Sequence, residues 1–122
     1  MNKPLVYISL LNWQKYEDCI QCVQELAKLD YDNFKILIRD NDSKNNSVNE
    51  LKKALPNTEI YTNYENNGYA AGHLENYKIA KKEGADFFWI LNCDLQVFPD
   101  TLSQLLEVAE QESNSILGSI SL

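Results

Sequence analysis

Histidine occurs once in the 122 residues, at His73, and cysteine three times, at Cys19, Cys22 and Cys93. The pair Cys19-x-x-Cys22 would need two further ligands to hold structural zinc, and one histidine does not supply them. A thioredoxin-like pair sits in the first turn of a helix just after a strand. Here the pair falls inside a helical stretch, on its apolar stripe, so both thiols read as small buried side chains, reduced and without metal. No apolar run approaches the ~20 residues of a membrane span. Leu5 to Leu11 is the longest near the N-terminus, is broken by Ser9, and lacks the charged start and cleavage site of a signal peptide. The expectation is a cytoplasmic chain, or one at the inner face of the membrane within a longer protein.

Positive charge is scarce as well: eleven Lys and Arg face eighteen Asp and Glu, for a net charge of −7. The densest basic spots, Lys52-Lys53 and Lys81-Lys82, fall on predicted helix surfaces, so a polynucleotide backbone is excluded as a partner. One small phosphate ligand remains compatible if a divalent cation or backbone N–H groups supply the positive end. There is no Walker loop, no G-x-G-x-x-G, no internal repeat and no linker. The length suits one domain with a single core.

What is present is an alternation of two periods. Leu5 to Leu11 reads as a buried strand. Tyr16, Cys19, Ile20, Val23, Leu26 and Ala27 recur at helical steps, ending near Leu29. Phe34 to Asp40 is a second strand, followed by the turn-forming "NDSKNNS". Ser47 reads as the cap of a short helix with stripe Val48, Leu51 and Leu55, and Glu50 completes a capping box before Pro56-Asn57 stops it. "TEIYT" is a brief strand. Ala70, Leu74, Tyr77 and Ala80 mark a third helix to about Glu83, with Gly84 as its stop. "DFFWILN" is a fourth strand, and Asp100 to Glu112 a fourth helix with stripe Leu102, Leu105, Leu106 and Ala109. "SILGSISL" begins a fifth strand.

Strands alternating with helices over short connections give an α/β three-layer sandwich: a mostly parallel sheet, order 3-2-1-4, with helices on both faces. Ligands of such sheets bind beyond the carboxyl ends of the strands, where strand order reverses. The loops to inspect are therefore Asn12-Trp13, Asp40-Asn41-Asp42, Asn66 to His73 and Asn92-Cys93-Asp94. Asp40, Asp42 and Asp94 are each explicable as turn or cap residues. Together they form a negative rim that suits a hard divalent cation, with Asp40 and Asp94 facing one crevice. Trp13 offers either an aromatic face for a flat ring or an anchor for the next helix. Gly68, Ala70, Ala71 and Gly72 let a backbone approach a phosphate or sugar, or allow tight helix-to-sheet packing. No Lys or Arg is placed near these loops, so a diphosphate there would depend on metal.

The ordered segments "YISLLNWQKYEDCIQCVQEL", "KILIRDNDSKNNS", "NNGYAAGH" and "FWILNCDLQVFPDTL" resemble the N-terminal half of family 2 glycosyltransferases of the GT-A fold, over nearly all of residues 1–122. The likeness leans to the rhamnosyltransferase-like branch, whose motifs run LNWN, VDNGS, NxGFAGGN and LLNPD. The resemblance implies an inverting transfer of sugar from a UDP- or dTDP-sugar to a hydroxyl of a glycan or lipid-linked acceptor, in cell-surface polysaccharide or glycan synthesis. It implies that Leu11, Asn12 and Trp13 border the base, that Asp40 hydrogen-bonds a pyrimidine with Asn41 beside it, and that Gly68 and Gly72 line the diphosphate-sugar side. Asn92-Cys93-Asp94 matches the Asp-x-Asp motif, with Asp94 as the ligand of Mg²⁺ or Mn²⁺.

The sequence departs from that pattern at several positions. Gln14 stands for the usual second Asn, Asp42 for Gly, and Lys44-Asn45 for Thr-Asp. Ala71 and His73 stand for Gly and Asn, and Asn92 for the first Asp of the motif. The family's general base and acceptor-binding half are expected beyond Leu122, so the 122 residues alone are expected to bind donor without transferring sugar. Two rival readings compete with this one. One is a non-catalytic nucleotide-binding module. The other is a receiver-like signalling domain, which needs a Lys beyond Lys82 that the sequence lacks.

Overall fold

A computed structural model of the chain describes residues 3–63, 65, 68–111, 116 and 117. Asn66 and Asn67 of the expected glycine-containing loop, and most of the expected fifth strand, lie outside the described residues. The element order is β1 (Val6–Asn12), α1 (Tyr16–Leu26), β2 (Phe34–Asn41), α2 (Ser47–Ala54), β3 (Glu59–Asn63), α3 (Tyr69–Lys82), β4 (Phe87–Ile90), α4 (Thr101–Gln111) and β5 (Ile116–Leu117). The sheet runs β3-β2-β1-β4-β5 and every pairing is parallel. Strand order therefore reverses between β1 and β4, as the alternation predicts.

Side-chain alternation divides the strands between two layers. Val6, Ile8 and Leu10 of β1, Ile38 of β2 and Trp89 of β4 face one way. There they bury Cys19, Cys22 and Leu26 of α1, Leu51 of α2, and Leu102, Leu106 and Ala109 of α4. Tyr7, Leu37 and Phe88 point to the other face, against Ala80 and Tyr77 of α3. The α4 stripe packs as its spacing predicts.

Two helices differ from the sequence reading. Ser47 does not cap α2; it is the helix's first residue, and Asn46 at the cap position makes no side-chain cap bond. The Asn45 carboxamide oxygen accepts both the Ser47 N–H, at 3.0 Å, and the Ser47 hydroxyl. That competing side chain dismantles the capping box, and Glu50 accepts from Asn46 Nδ2 instead. In α3 only Tyr77 and Ala80 of the expected stripe face inward, and Ala70 and Leu74 do not. Leu74 is half exposed, while Gly72, His73, Asn76 and Ala80 are buried.

The reason lies in the strands beneath α3. Ser9 and Arg39 point inward from the middle of β1 and β2, so α3 meets them with polar groups. Asn76 Nδ2 donates to Ser9 Oγ at 2.8 Å, and Ser9 Oγ lies 2.7 Å from His73 Nδ1. The Arg39 guanidinium donates to Asn76 Oδ1 at 2.9 Å and to Asn63 Oδ1 at 2.8 Å. A buried cation, the buried Asn76 amide and the half-buried Asn63 amide thereby satisfy one another.

Candidate functional site

A cleft of about 370 Å³ opens at the carboxyl ends of β1 and β4, lined by residues that include Leu11, Asn12, Trp13, Asn41, Asn92 and Asp94. Each arrives there because its strand ends there. Trp13 follows β1, lines the cleft and is 52 % exposed, so part of its ring is open to a ligand. Asn92, Cys93 and Asp94 leave β4 in a turn in which Leu95 N–H donates to Asn92 C=O at 3.2 Å. Asn92 Oδ1 accepts the Tyr69 hydroxyl, which ties the first turn of α3 to that loop.

Other sequence-predicted residues lie behind the cleft. Asp40 is fully buried and is absent from the cleft wall. Its carboxylate accepts Asn12 Nδ2 at 2.8 Å, Ser43 N–H at 2.9 Å and the Ser43 hydroxyl at 2.7 Å. It therefore reaches the cleft through Asn12, whose Oδ1 accepts the Lys15 N–H at 3.2 Å. The expectation that Asp40 and Asp94 face one crevice is met by Asp94 alone.

Asp42, counted into the negative rim, is paired with Lys44 at 2.9 Å. Its backbone is left-handed at φ 60°, as is that of Gln14. These are two of the positions where the sequence departs from the resembled motifs. A Gly or Asn, the residues those motifs carry there, adopts that conformation at less cost. Gly68 (φ 91°) precedes α3, and its carbonyl accepts Asn41 Nδ2 at 3.3 Å. Gly72 serves packing: a Cβ there would lie 2.6 Å from Leu11 Cδ2.

Two charged cleft residues lie outside the loops named from the sequence. Lys15 and Asp18 come from the start of α1, whereas Tyr69, at the start of α3, falls within the named segment Asn66 to His73. Lys15 corrects the expectation that no cation stands near the site. It is exposed, and it makes no ion pair among the described residues. A signal was available: a helix following a strand of a parallel sheet begins beside the strand's carboxyl end, so its first turn borders the site.

The floor of the cleft is sulfur. Cys93 Sγ and Cys19 Sγ are 2.7 Å apart, and the Cys93 thiol is directed at the Leu11 carbonyl. Hydrogen bonding with Cys93, then burial, pushes the Cys22 thiol far above its ordinary range. Cys93 is raised too, chiefly by its contact with Cys19. Cys19 and Cys22 are buried, as the helical stripe predicts, and all three cysteines are free.

Among the described residues no three His, Cys, Asp or Glu side chains are grouped to hold a metal ion. Asp94 and Asp18 nevertheless give the cleft wall two carboxylates. That donor chemistry fits Mg²⁺ or Mn²⁺ in the form these ions commonly take, with one or two carboxylates and the remaining oxygens from a ligand's phosphates. No described helix is long and apolar enough to cross a membrane.

No curated protein sequence matches the chain significantly. Solved structures do. The mannosyltransferase PcManGT from Pyrobaculum calidifontis, in complex with GDP-Man and Mn²⁺, aligns with a TM-score of 0.73 at 15 % identity, over 89 % of this chain and 33 % of that one. S. aureus TarS 1–349 aligns with a TM-score of 0.66 at 16 % identity, over 89 % of this chain and 33 % of its own. The chain thus spans about a third of the length of each and shares with them a GT-A-like fold. Residues 9–121 match the family described as glycosyl transferase family 2, and the chain belongs to that family.

Proposed function

We propose that the cleft binds the nucleoside-diphosphate sugar of an inverting glycosyltransferase and that these 122 residues form its donor-binding part. The observation that carries this reading is the composition of one cleft at the strand-order reversal: an open Trp13 ring, the Lys15 ammonium, and the Asp94 and Asp18 carboxylates. The indole suits a flat base. Lys15 offsets part of a diphosphate's charge as a point cation. Asp94, with Asp18 on the same cleft wall, would hold the divalent cation together with the diphosphate. When bound, that cation stabilises the charge on the departing nucleoside diphosphate. The protein's own contribution is to carry these groups on strand ends and first turns, whose backbone the sheet fixes. The acceptor hydroxyl would attack the anomeric carbon in line. No residue of the cleft is assigned as its base; that base and the acceptor site are placed outside these 122 residues.

The base is proposed to be a pyrimidine, as UDP or dTDP, on the rhamnosyltransferase-like pattern of the motifs. Calorimetry with UDP, dTDP and GDP, each in Mn²⁺, in Mg²⁺ and in chelator, tests the reading. Binding is expected to be tightest for a pyrimidine diphosphate with metal. Asp94→Ala should remove most of the metal-dependent gain. Lys15→Ala should weaken binding with and without metal, by about three- to tenfold for one partly solvated charge contact. Identical affinities in metal and chelator would overturn the role of Asp94. Preference for GDP would overturn the pyrimidine assignment, and no binding of any diphosphate would overturn the donor site. Sugar transfer by the 122 residues alone would show that no further part is needed.

A further inference from the structure

The chain's only three thiols meet at one point, though Cys93 lies 74 positions from Cys19. Cys19 projects from α1, and Cys93 from the loop between β4 and α4. Their sulfurs are 2.7 Å apart, closer than two unbonded sulfurs rest, so a short movement separates them from a covalent bond at ~2.05 Å. Both line the cleft, and Cys93 is partly exposed, so a small reagent reaches the pair from solvent. Cys22 does not line the cleft and contacts Cys93 from within the core. The donor reading uses none of these sulfurs, and their chemistry stands whether or not the cleft binds a nucleotide.

We propose that Cys19 and Cys93 form a reversible intramolecular disulfide when the chain meets a peroxide. In the first step the Cys93 sulfur attacks a peroxide oxygen as its proton passes to the departing hydroxide, slowly because contact with Cys19 favours the protonated thiol. The O–O bond breaks, water leaves, and Cys93 becomes a sulfenic acid. In the second step Cys19 Sγ attacks Cys93 Sγ. The S–O bond breaks, and the hydroxyl leaves as water with the Cys19 proton. Two thiols are oxidised, one peroxide is reduced, and two waters are formed. The pairing is set by contact, not by the Cys19-x-x-Cys22 spacing. The bridge ties α1 to the loop that carries Asp94 and closes a long loop in the unfolded chain, which raises stability.

The test uses the full chain, reduced, then exposed to equimolar hydrogen peroxide, alkylated, and digested without reductant for mass spectrometry. The expected result is one species two hydrogens lighter, with the Cys19 and Cys93 peptides linked, and reversal by dithiothreitol. Its melting temperature should rise by about 15–20 °C, the scale that loop closure of this length gives. Cys22→Ala should keep the linkage, and Cys93→Ser should abolish it. A Cys19–Cys22 bridge, an intermolecular bridge, accumulation of Cys93 sulfinic acid beside a free Cys19, or no oxidation would each overturn the proposal. So would an oxidised chain that melts no higher than the reduced one.

Discussion

Replacing Asp40 by alanine should unfold the chain more readily before it does anything to a ligand. The carboxylate is fully buried and accepts three hydrogen bonds, two from Ser43 and one from Asn12. Alanine removes both acceptor oxygens and with them all three bonds. Asn12 Nδ2 keeps only a 3.4 Å contact with Ser43 Oγ, and that oxygen already accepts the Gln14 N–H at 2.7 Å. The Ser43 N–H is left without its acceptor. With about 1–3 kcal/mol for each stranded donor, the loss sums to about 3–5 kcal/mol. That is a large share of the 5–15 kcal/mol typical of a domain. With a urea slope of roughly 1.5–2 kcal/mol/M, the midpoint should fall by about 2 M. Asp40→Asn keeps one acceptor oxygen and should lose about half as much.

A double-mutant cycle with Asn12→Ala separates the two roles open to Asp40. If Asp40 acts through Asn12, the double variant should be at least 1 kcal/mol more stable than the sum of the singles predicts, and nucleotide affinity should fall no further than in Asn12→Ala alone. An Asp40→Ala chain within 1 kcal/mol of wild type, yet unable to bind a nucleotide, would refute this reasoning and restore a direct contact to the base.

Gly72→Ala should change sign with its neighbour. In the wild-type background, crowding of Leu11 should outweigh the gain in helix propensity and cost about 1 kcal/mol. In a Leu11→Ala background the same substitution should stabilise by a similar amount, and two thermal melts decide it. His73 is buried, which lowers its pKa from 6.5 to about 4. The unfolded chain therefore binds the proton first, so stability should fall as the pH drops from about 6.5 to about 4, by roughly 3 kcal/mol, and this contribution should level off below. Urea midpoints across that range should show a flatter slope in His73→Asn; equal slopes would mean that the ring is solvated in the folded chain.

The strand order and the position of the cleft were legible because they follow from patterns that a sequence carries directly. Apolar runs of strand length alternate with stripes at helical spacing, and short connections leave few topologies. What was not legible depends on partners. The inward face of α3 is polar because Ser9 and Arg39 are polar, and neither helix nor strand shows this alone. Both residues interrupt otherwise apolar strands, and an Arg in mid-strand must find partners somewhere. Read that way, they point to His73 and Asn76 at i, i+3 on the helix above. The cysteines illustrate the same limit. Periodicity placed Cys19 and Cys22 in the core, but the meeting with Cys93 is made by β1 pairing with β4, which sets the α1 start beside the β4 end.

Asp40 shows how a correct placement can carry an incomplete role. A carboxylate at the end of β2 borders the site in topology, yet β1 pairs Asn12 directly with Asp40. Once those two residues are in register, the nearest donors to the carboxylate are the protein's own. The amide of Asn12 then presents its other end toward Lys15 and the cleft. A buried anion satisfied by three donors is a rigid support. The residues it holds in place border the cleft: Asn12 directly, and through the first turn of α1, the exposed Lys15.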